Sequence, residues 1–290
     1  MEILIHCLIH ALKDTLHLLP FLYVTYVVME ALERYASDKI HVLIQRGGSW
    51  GAVIGALCGV FPQCGFSAAA ATLYSAGVIS MGTVLSVFLS TSDELLPIFV
   101  AEGVGASKIV TILGLKVIIG MIVGLIVDFY LRYHHEQHVD TDHIHDLCEA
   151  EHCDCDDGHT SIWLAAFKHT VMVSIFIYVA TAIMAFIFHA FGEDAITQFM
   201  IAHKNMSVVI SALVGLIPNC AASVLISQLY IDGVLSFAAM MSGLLVAAGV
   251  GLLVLFRTNR DMKNNVKIVG ILFVAGVFSG FILQCIGFTC

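Results

Sequence analysis

Two adjacent carboxylates, Asp93 and Glu94, lie inside the apolar run FLSTSDELLPIFV. They fall 11 and 12 residues beyond Gly82, roughly 16–18 Å along a helix, which is near the middle of a bilayer-sized segment. A carboxylate at that depth costs about 2.5–3.5 kcal/mol on insertion scales, so a site that uses the pair is the first reading. Ser90, Thr91 and Ser92 precede the acids and Pro97 follows, a composition that lets the helix break there. Carboxylate and hydroxyl oxygens suit hard divalent cations such as Mn²⁺. The plainer alternative is a helix that ends near Ser90, with both acids in water. Lys116, in the next apolar run, lies at comparable depth. It either pairs with Asp93 or Glu94 and is displaced when a cation or proton binds, as a coupling residue, or it snorkels to an interface.

A second constellation occurs twice. Residues 53–86 and 209–242 align without a gap, identical at 14 of 34 positions, and each copy interrupts an apolar run with Pro-x-Cys: Pro62-Gln63-Cys64 and Pro218-Asn219-Cys220. Thiolates are soft ligands for zinc, copper(I) or trivalent arsenic, whereas the amide oxygens of Gln63 and Asn219 are harder and more permissive. Buried free cysteine is also a small apolar filler. Ser223 and Gln228 add neutral polar groups to the second copy, which has Gly249 and Val250 where the acids of the first copy align. A duplicated, Pro-broken apolar segment is the best sequence pointer to a secondary transporter's binding site; a Pro-kinked helix without a ligand is the simpler alternative.

The third concentration is RYHHEQHVDTDHIHDLCEAEHCDCDDGHTS. It holds His134, His135, His138, His143, His145, Cys148, His152, Cys153, Cys155 and His159 among many acids, a composition that binds transition metals. The alternative is a solvated acidic linker. His135-Glu136-Gln137-His138 is one residue short of a zinc-protease HExxH, and no paired C-x-x-C zinc framework is present. At the N-terminus His6, His10, Asp14 and His17 follow helical spacing, which an amphipathic interfacial helix explains more cheaply than a metal path.

The elements that must carry these groups are helical and lie in lipid. The chain has 290 residues, 59% hydrophobic and 12% charged, against about 25% charged in soluble domains. Apolar runs fall at roughly 15–32, 50–61, 65–78, 82–101, 108–131, 162–190, 206–217, 221–235, 236–256 and 268–288. The expected fold is an all-α polytopic membrane protein made of two five-segment repeats, 1–131 and 161–290, joined by the linker 132–160. Residues 50–61 would span only about 18 Å as a helix, too short for a core of about 30 Å. Each Pro-x-Cys pair is therefore read as broken or re-entrant helices meeting near the midplane. The start MEILIHCLIH lacks a basic n-region and a small-residue cleavage site, so targeting is expected from the first apolar helix.

If each half crosses the membrane an odd number of times, Arg34, Lys39, Arg46, Arg132, Lys168, Arg257, Arg260, Lys263 and Lys267 share one side, against Lys13, Lys108 and Lys204. The basic side is then cytoplasmic, the linker with it, and the halves are inverted. An even count keeps the same score with the linker outside; inversion is preferred because inverted halves build an alternating-access site. The net charge of −9 sits mostly in the linker and gives no reason to expect nucleic acid. Six of the nine cysteines lie in or beside apolar runs, which is no secreted disulfide framework. Neither a Walker A motif nor a haem-attachment C-x-x-C-H is present. No nucleophile–base constellation suggests an enzyme, and no catalytic residue or cofactor is expected.

The block FPQCGFSAAAATLYSAGVISMGTVLSVFLSTSDELLPIF, the second block GLIPNCAASVLISQLY and the His/Asp-rich linker resemble the ten-transmembrane heavy-metal exporter family, over almost the whole chain. Members are labelled arsenic-efflux proteins or manganese transporters. The resemblance implies efflux of a metal or metalloid across a bacterial inner membrane, with Pro62, Gln63, Cys64, Ser92, Asp93, Glu94, Pro218, Asn219 and Cys220 as the family-like core. Together these readings give a secondary transporter that exports a divalent transition metal, Mn²⁺ narrowly favoured, by alternating access in exchange for protons. Its expected substrate ligands are Gln63, Cys64, Ser90, Ser92, Asp93, Glu94, Asn219, Cys220 and Ser223. The transported ion and the bilayer are the expected partners, and a homodimer is left open. Arsenite or organoarsenical efflux is the first rival; a non-transporting metal sensor or membrane scaffold is the second.

Overall fold

The computed structural model describes residues 50–61, 64–92, 95–133, 162–191 and 206–287, with helical backbone also at scattered positions between 8 and 27. Pro62, Gln63, Asp93, Glu94, the linker 134–160 and the N-terminal His6, His10, Asp14 and His17 lie outside the described residues, and of Cys64 only the backbone is described.

All regular structure among the described residues is helical. In chain order the helices are α1 (Trp50–Gly59), α2 (Cys64–Ser75), α3 (Met81–Ser90), α4 (Leu95–Ala101), α5 (Ala106–Tyr133), α6 (Ile162–Phe191), α7 (Ser207–Gly215), α8 (Cys220–Ile231), α9 (Phe237–Val246), α10 (Val250–Thr258) and α11 (Met262–Ile286). Among the described residues five stretches are long and apolar enough to cross a membrane: Met81–Ala101, Ala106–Tyr133, Ala166–Ile183, Phe237–Thr258 and Met262–Ile286. The chain is a multi-pass membrane protein. Ile118, Ile122, Ile126 and Phe129 of α5, and Val266, Val274 and Phe278 of α11, present apolar surface outward, as lipid as solvent requires.

One shift of 156 residues carries Cys64 to Cys220, Met81 to Phe237 and Ala106 to Met262, so α2, α3 and α5 begin where α8, α9 and α11 begin. The local reasons recur as well. Gly77 (φ 73°) and Gly233 (φ 74°) adopt the left-handed conformation that ends α2 and α8, with Val78 N–H donating to Leu73 O and Val234 N–H to Leu229 O, both at 2.9 Å. Ser80 and Ser236 cap α3 and α9, their hydroxyls accepting from Thr83 N–H and Ala239 N–H.

Packing repeats too. α3 lies on α5 and α9 on α11 through small residues. A Cβ on Gly120 would meet the Ser86 carbonyl at 2.9 Å, and one on Gly276 the Ser242 carbonyl at 2.9 Å. A Cβ on Gly124 would meet Ser86 Cβ at 2.9 Å, and one on Gly280 Ser242 Cβ at 2.8 Å. Between the repeats the contacts are exchanged: α2 packs on α10 and α8 on α4, while α3 meets α9. A buried hydroxyl pair, Ser75 Oγ and Thr258 Oγ1 at 2.7 Å, and the stacked rings of Phe99 and Tyr230 mark this seam.

The segmentation differs from the apolar pattern at two places. The run expected over 236–256 is two helices, parted at Ala247–Gly249, because Gly249 adopts φ 53°, ψ −136°, which a side-chain-bearing residue disfavours. The last helix starts at Met262, not near 268, because Asp261 caps it by accepting from Lys263 and Asn264 N–H and so extends it through a polar turn.

Candidate functional site

Three interruptions of helix line one small cavity, and a fourth is tied to it through Ser92. The first repeat contributes the gap between α1 and α2 and that between α3 and α4; the second contributes the gap between α7 and α8 and that between α9 and α10. The cavity is lined by Thr91, Ser92, Leu95, Lys116, Asn219, Ser223, Leu244, Ala247 and Gly249, and has room for about one occupant the size of a water molecule. The α1–α2 gap is tied in through Ser92, whose hydroxyl donates to the Val60 carbonyl at 2.6 Å.

The three lining gaps leave helix ends at the cavity. Where α3 ends, its hydroxyls turn back on the helix: Ser90 Oγ donates to Ser86 O (2.7 Å) and Val87 O (3.1 Å), and Thr91 Oγ1 donates to Val87 O (2.8 Å). α8 opens with Asn219 as its cap, the side-chain oxygen accepting from Ala221 N–H at 3.2 Å. Ser223, one turn on, donates to Cys220 O at 2.8 Å. The C-terminal ends of α3 and α9 bring partial negative charge, and the N-terminal ends of α8 and α10 partial positive charge.

Of the residues singled out by sequence, Ser92, Lys116, Asn219 and Ser223 line this cavity together. Ser90 is buried one turn away, its hydroxyl turned back on α3, and Cys220 is half-buried beside the lining. Cys64 is the first residue of α2, as Cys220 is of α8. Asp93 and Glu94 stand in sequence between two lining residues, Ser92 and Leu95. Lys116 is 1% exposed, and its Nζ donates to the Leu244 carbonyl at 2.6 Å, across to the second repeat.

Three contributions escaped the sequence reading. Thr91 and Gly249 line the cavity; the shift of 156 that relates Asp93 to Gly249 was the available pointer to the latter. Asp128, an acid within the apolar run of α5, is buried: its carboxylate accepts from Ser80 Oγ at 2.7 Å and Gly82 N–H at 2.8 Å. It thereby bolts the start of α3, and so the helix that ends at the cavity, to α5. The second repeat has Ala238 and an exposed Gln284 at the positions equivalent to Gly82 and Asp128, so the bolt is one-sided.

In chemical terms, hydroxyl, amide and backbone oxygens face a small space reached by one buried lysine, with two carboxylates adjacent in sequence.

No curated protein and no solved structure matches the chain. The family described as "putative, 10TM heavy-metal exporter" matches over residues 4–177 and 157–289, which takes in every described helix. A membrane-spanning family agrees with the apolar helices, and the chain belongs to this family.

Proposed function

We propose that the protein exports a divalent transition metal, Mn²⁺ in first place, across the bacterial inner membrane by alternating access, in exchange for protons. The observation that carries this reading is the convergence of three helix interruptions, from both repeats, on one small cavity to which Thr91, Ser92, Asn219 and Ser223 bring polar side chains. Discontinuous helices around a small polar space are how secondary transporters hold ions away from water. Asp93 and Glu94 are assigned the charge that a dication needs, with Ser92, Asn219 and Ser223 and the amide of Gln63 completing the shell. Oxygen donors favour a hard cation over a thiophilic metalloid. The exchanged packing of α2 on α10 and α8 on α4 is what two copies related by a two-fold produce. An in-plane axis would make them inverted repeats that rock about the fixed site, with the linker 132–160 cytoplasmic and gathering metal through its histidines and cysteines.

The test is flux. In proteoliposomes, Asp93→Asn combined with Glu94→Gln is expected to abolish metal-dependent transport while expression stays intact. Undiminished transport would remove the carboxylates from the mechanism.

A further inference from the structure

The α9 end of the cavity poses a problem that the sequence leaves hidden. α9 stops at Val246, and the carbonyls of a last helical turn have no donors within the helix. Near the equivalent end of α3, the hydroxyls of Ser90 and Thr91 bond back to the Ser86 and Val87 carbonyls. α9 carries Val246 and Ala247 at those positions, which have none. Its Leu244 carbonyl, in that last turn, is met by Lys116 Nζ, from α5 of the other repeat, at 2.6 Å. A cation is the electrostatically favoured occupant at a helix C-terminus. Its nitrogen also stands close to the distance, about 2.0–2.6 Å, at which divalent cations take oxygen ligands. Lys116 and Leu244 line the same cavity as Ser92, Asn219 and Ser223.

We propose that the Lys116 side chain holds the place of the transported cation on the Leu244 carbonyl, and that this carbonyl becomes a ligand of the cation once the lysine swings away. The proposal rests on the metal reading of the cavity and deepens it, adding a backbone ligand and the group that competes for it. The empty carrier keeps its repeats latched through α5 and α9; the incoming cation releases the latch as it binds. The latch has one side only, because Leu272 stands where the second repeat would need its own lysine.

Titration of the purified full-length protein with MnCl₂ reads this competition. Lys116→Met removes the competitor and is expected to tighten Mn²⁺ binding at least tenfold while slowing metal flux in proteoliposomes at least tenfold. Lys116→Arg keeps a cation and should stay within threefold of wild-type affinity. Lys116→Gln keeps an N–H donor without the charge, so it serves where the Met variant fails to fold, and should tighten binding likewise. A lysine that only ties two helices together would lower thermal stability when replaced and leave the affinity alone. Unchanged or weaker Mn²⁺ binding in the neutral variant that folds overturns the proposal. A wild-type protein that binds no Mn²⁺ would overturn the metal reading itself, a result distinguishable from the first.

Discussion

Ser92 joins the two interruptions of the first repeat, since its hydroxyl reaches the Val60 carbonyl at 2.6 Å while the residue itself lines the cavity. Ser92→Ala leaves that carbonyl without this donor, at a cost of about 1 kcal/mol for a typical net hydrogen bond. The expected outcome is a several-fold rise in the Mn²⁺ KM for flux with normal expression. The cysteines give the opposing test. If oxygen donors hold the ion, Cys64→Ser and Cys220→Ser keep manganese resistance within about threefold in exporter-deficient cells, since a hard cation gains little from sulfur. Loss of arsenic resistance with manganese resistance spared would point to a thiol-held metalloid. Ser92, Asn219 and Ser223 were legible because they are polar groups in apolar runs or beside a proline. Thr91 sat in the same run as Ser92, and only the fold shows that it lines the cavity while its hydroxyl, like that of Ser90, bonds back to its own helix.

Helix against helix, the decisive residues are glycines. Gly124 lets α3 approach α5 closely, and a Cβ there would already meet Ser86 Cβ at 2.9 Å. Gly124→Leu overpacks that contact and is expected to cost about 1–3 kcal/mol, read as a lower thermal midpoint in detergent. Gly270→Leu is the control: a Cβ at Gly270 meets nothing within 4 Å, so its midpoint should stay near wild type. Pro-x-Cys and its duplication pointed to two interruptions, of which the one around Pro218 lies wholly among the described residues, and Ser-Thr-Ser before the acids suggested a third. The fourth, at Ala247–Gly249, lies in a run of apolar and small residues whose pattern reads as one continuous helix. It exists because Gly249 takes a backbone conformation open mainly to glycine, and nothing in local hydrophobicity records that choice.

For the molecule as a whole, the transporter and sensor readings part at the linker. Deleting residues 134–159 should leave basal metal flux in proteoliposomes within about threefold if the repeats carry the transport site and the linker only gathers metal. A sensor would show no flux in either form and would lose its metal response with the deletion. Composition decided the solvent: with 59% hydrophobic and 12% charged residues, a chain of this size has to put its surplus apolar surface in lipid. The internal duplication decided that the fold is built twice. Both are properties summed along the chain, so they survive without coordinates. What meets what is a different kind of quantity. Lys116 and Leu244 are 128 residues apart, as Asn219 and Ser92 are remote in sequence though they share a cavity. Sequence depth suggested a carboxylate partner for Lys116, and Asp93 and Glu94 lie outside the described residues; among the described residues Lys116 also meets a backbone carbonyl, and every residue has one of those. A carbonyl becomes a site only when its helix stops short of a donor and another element arrives to supply one. That depends on packing between the repeats and leaves no mark in the residue types.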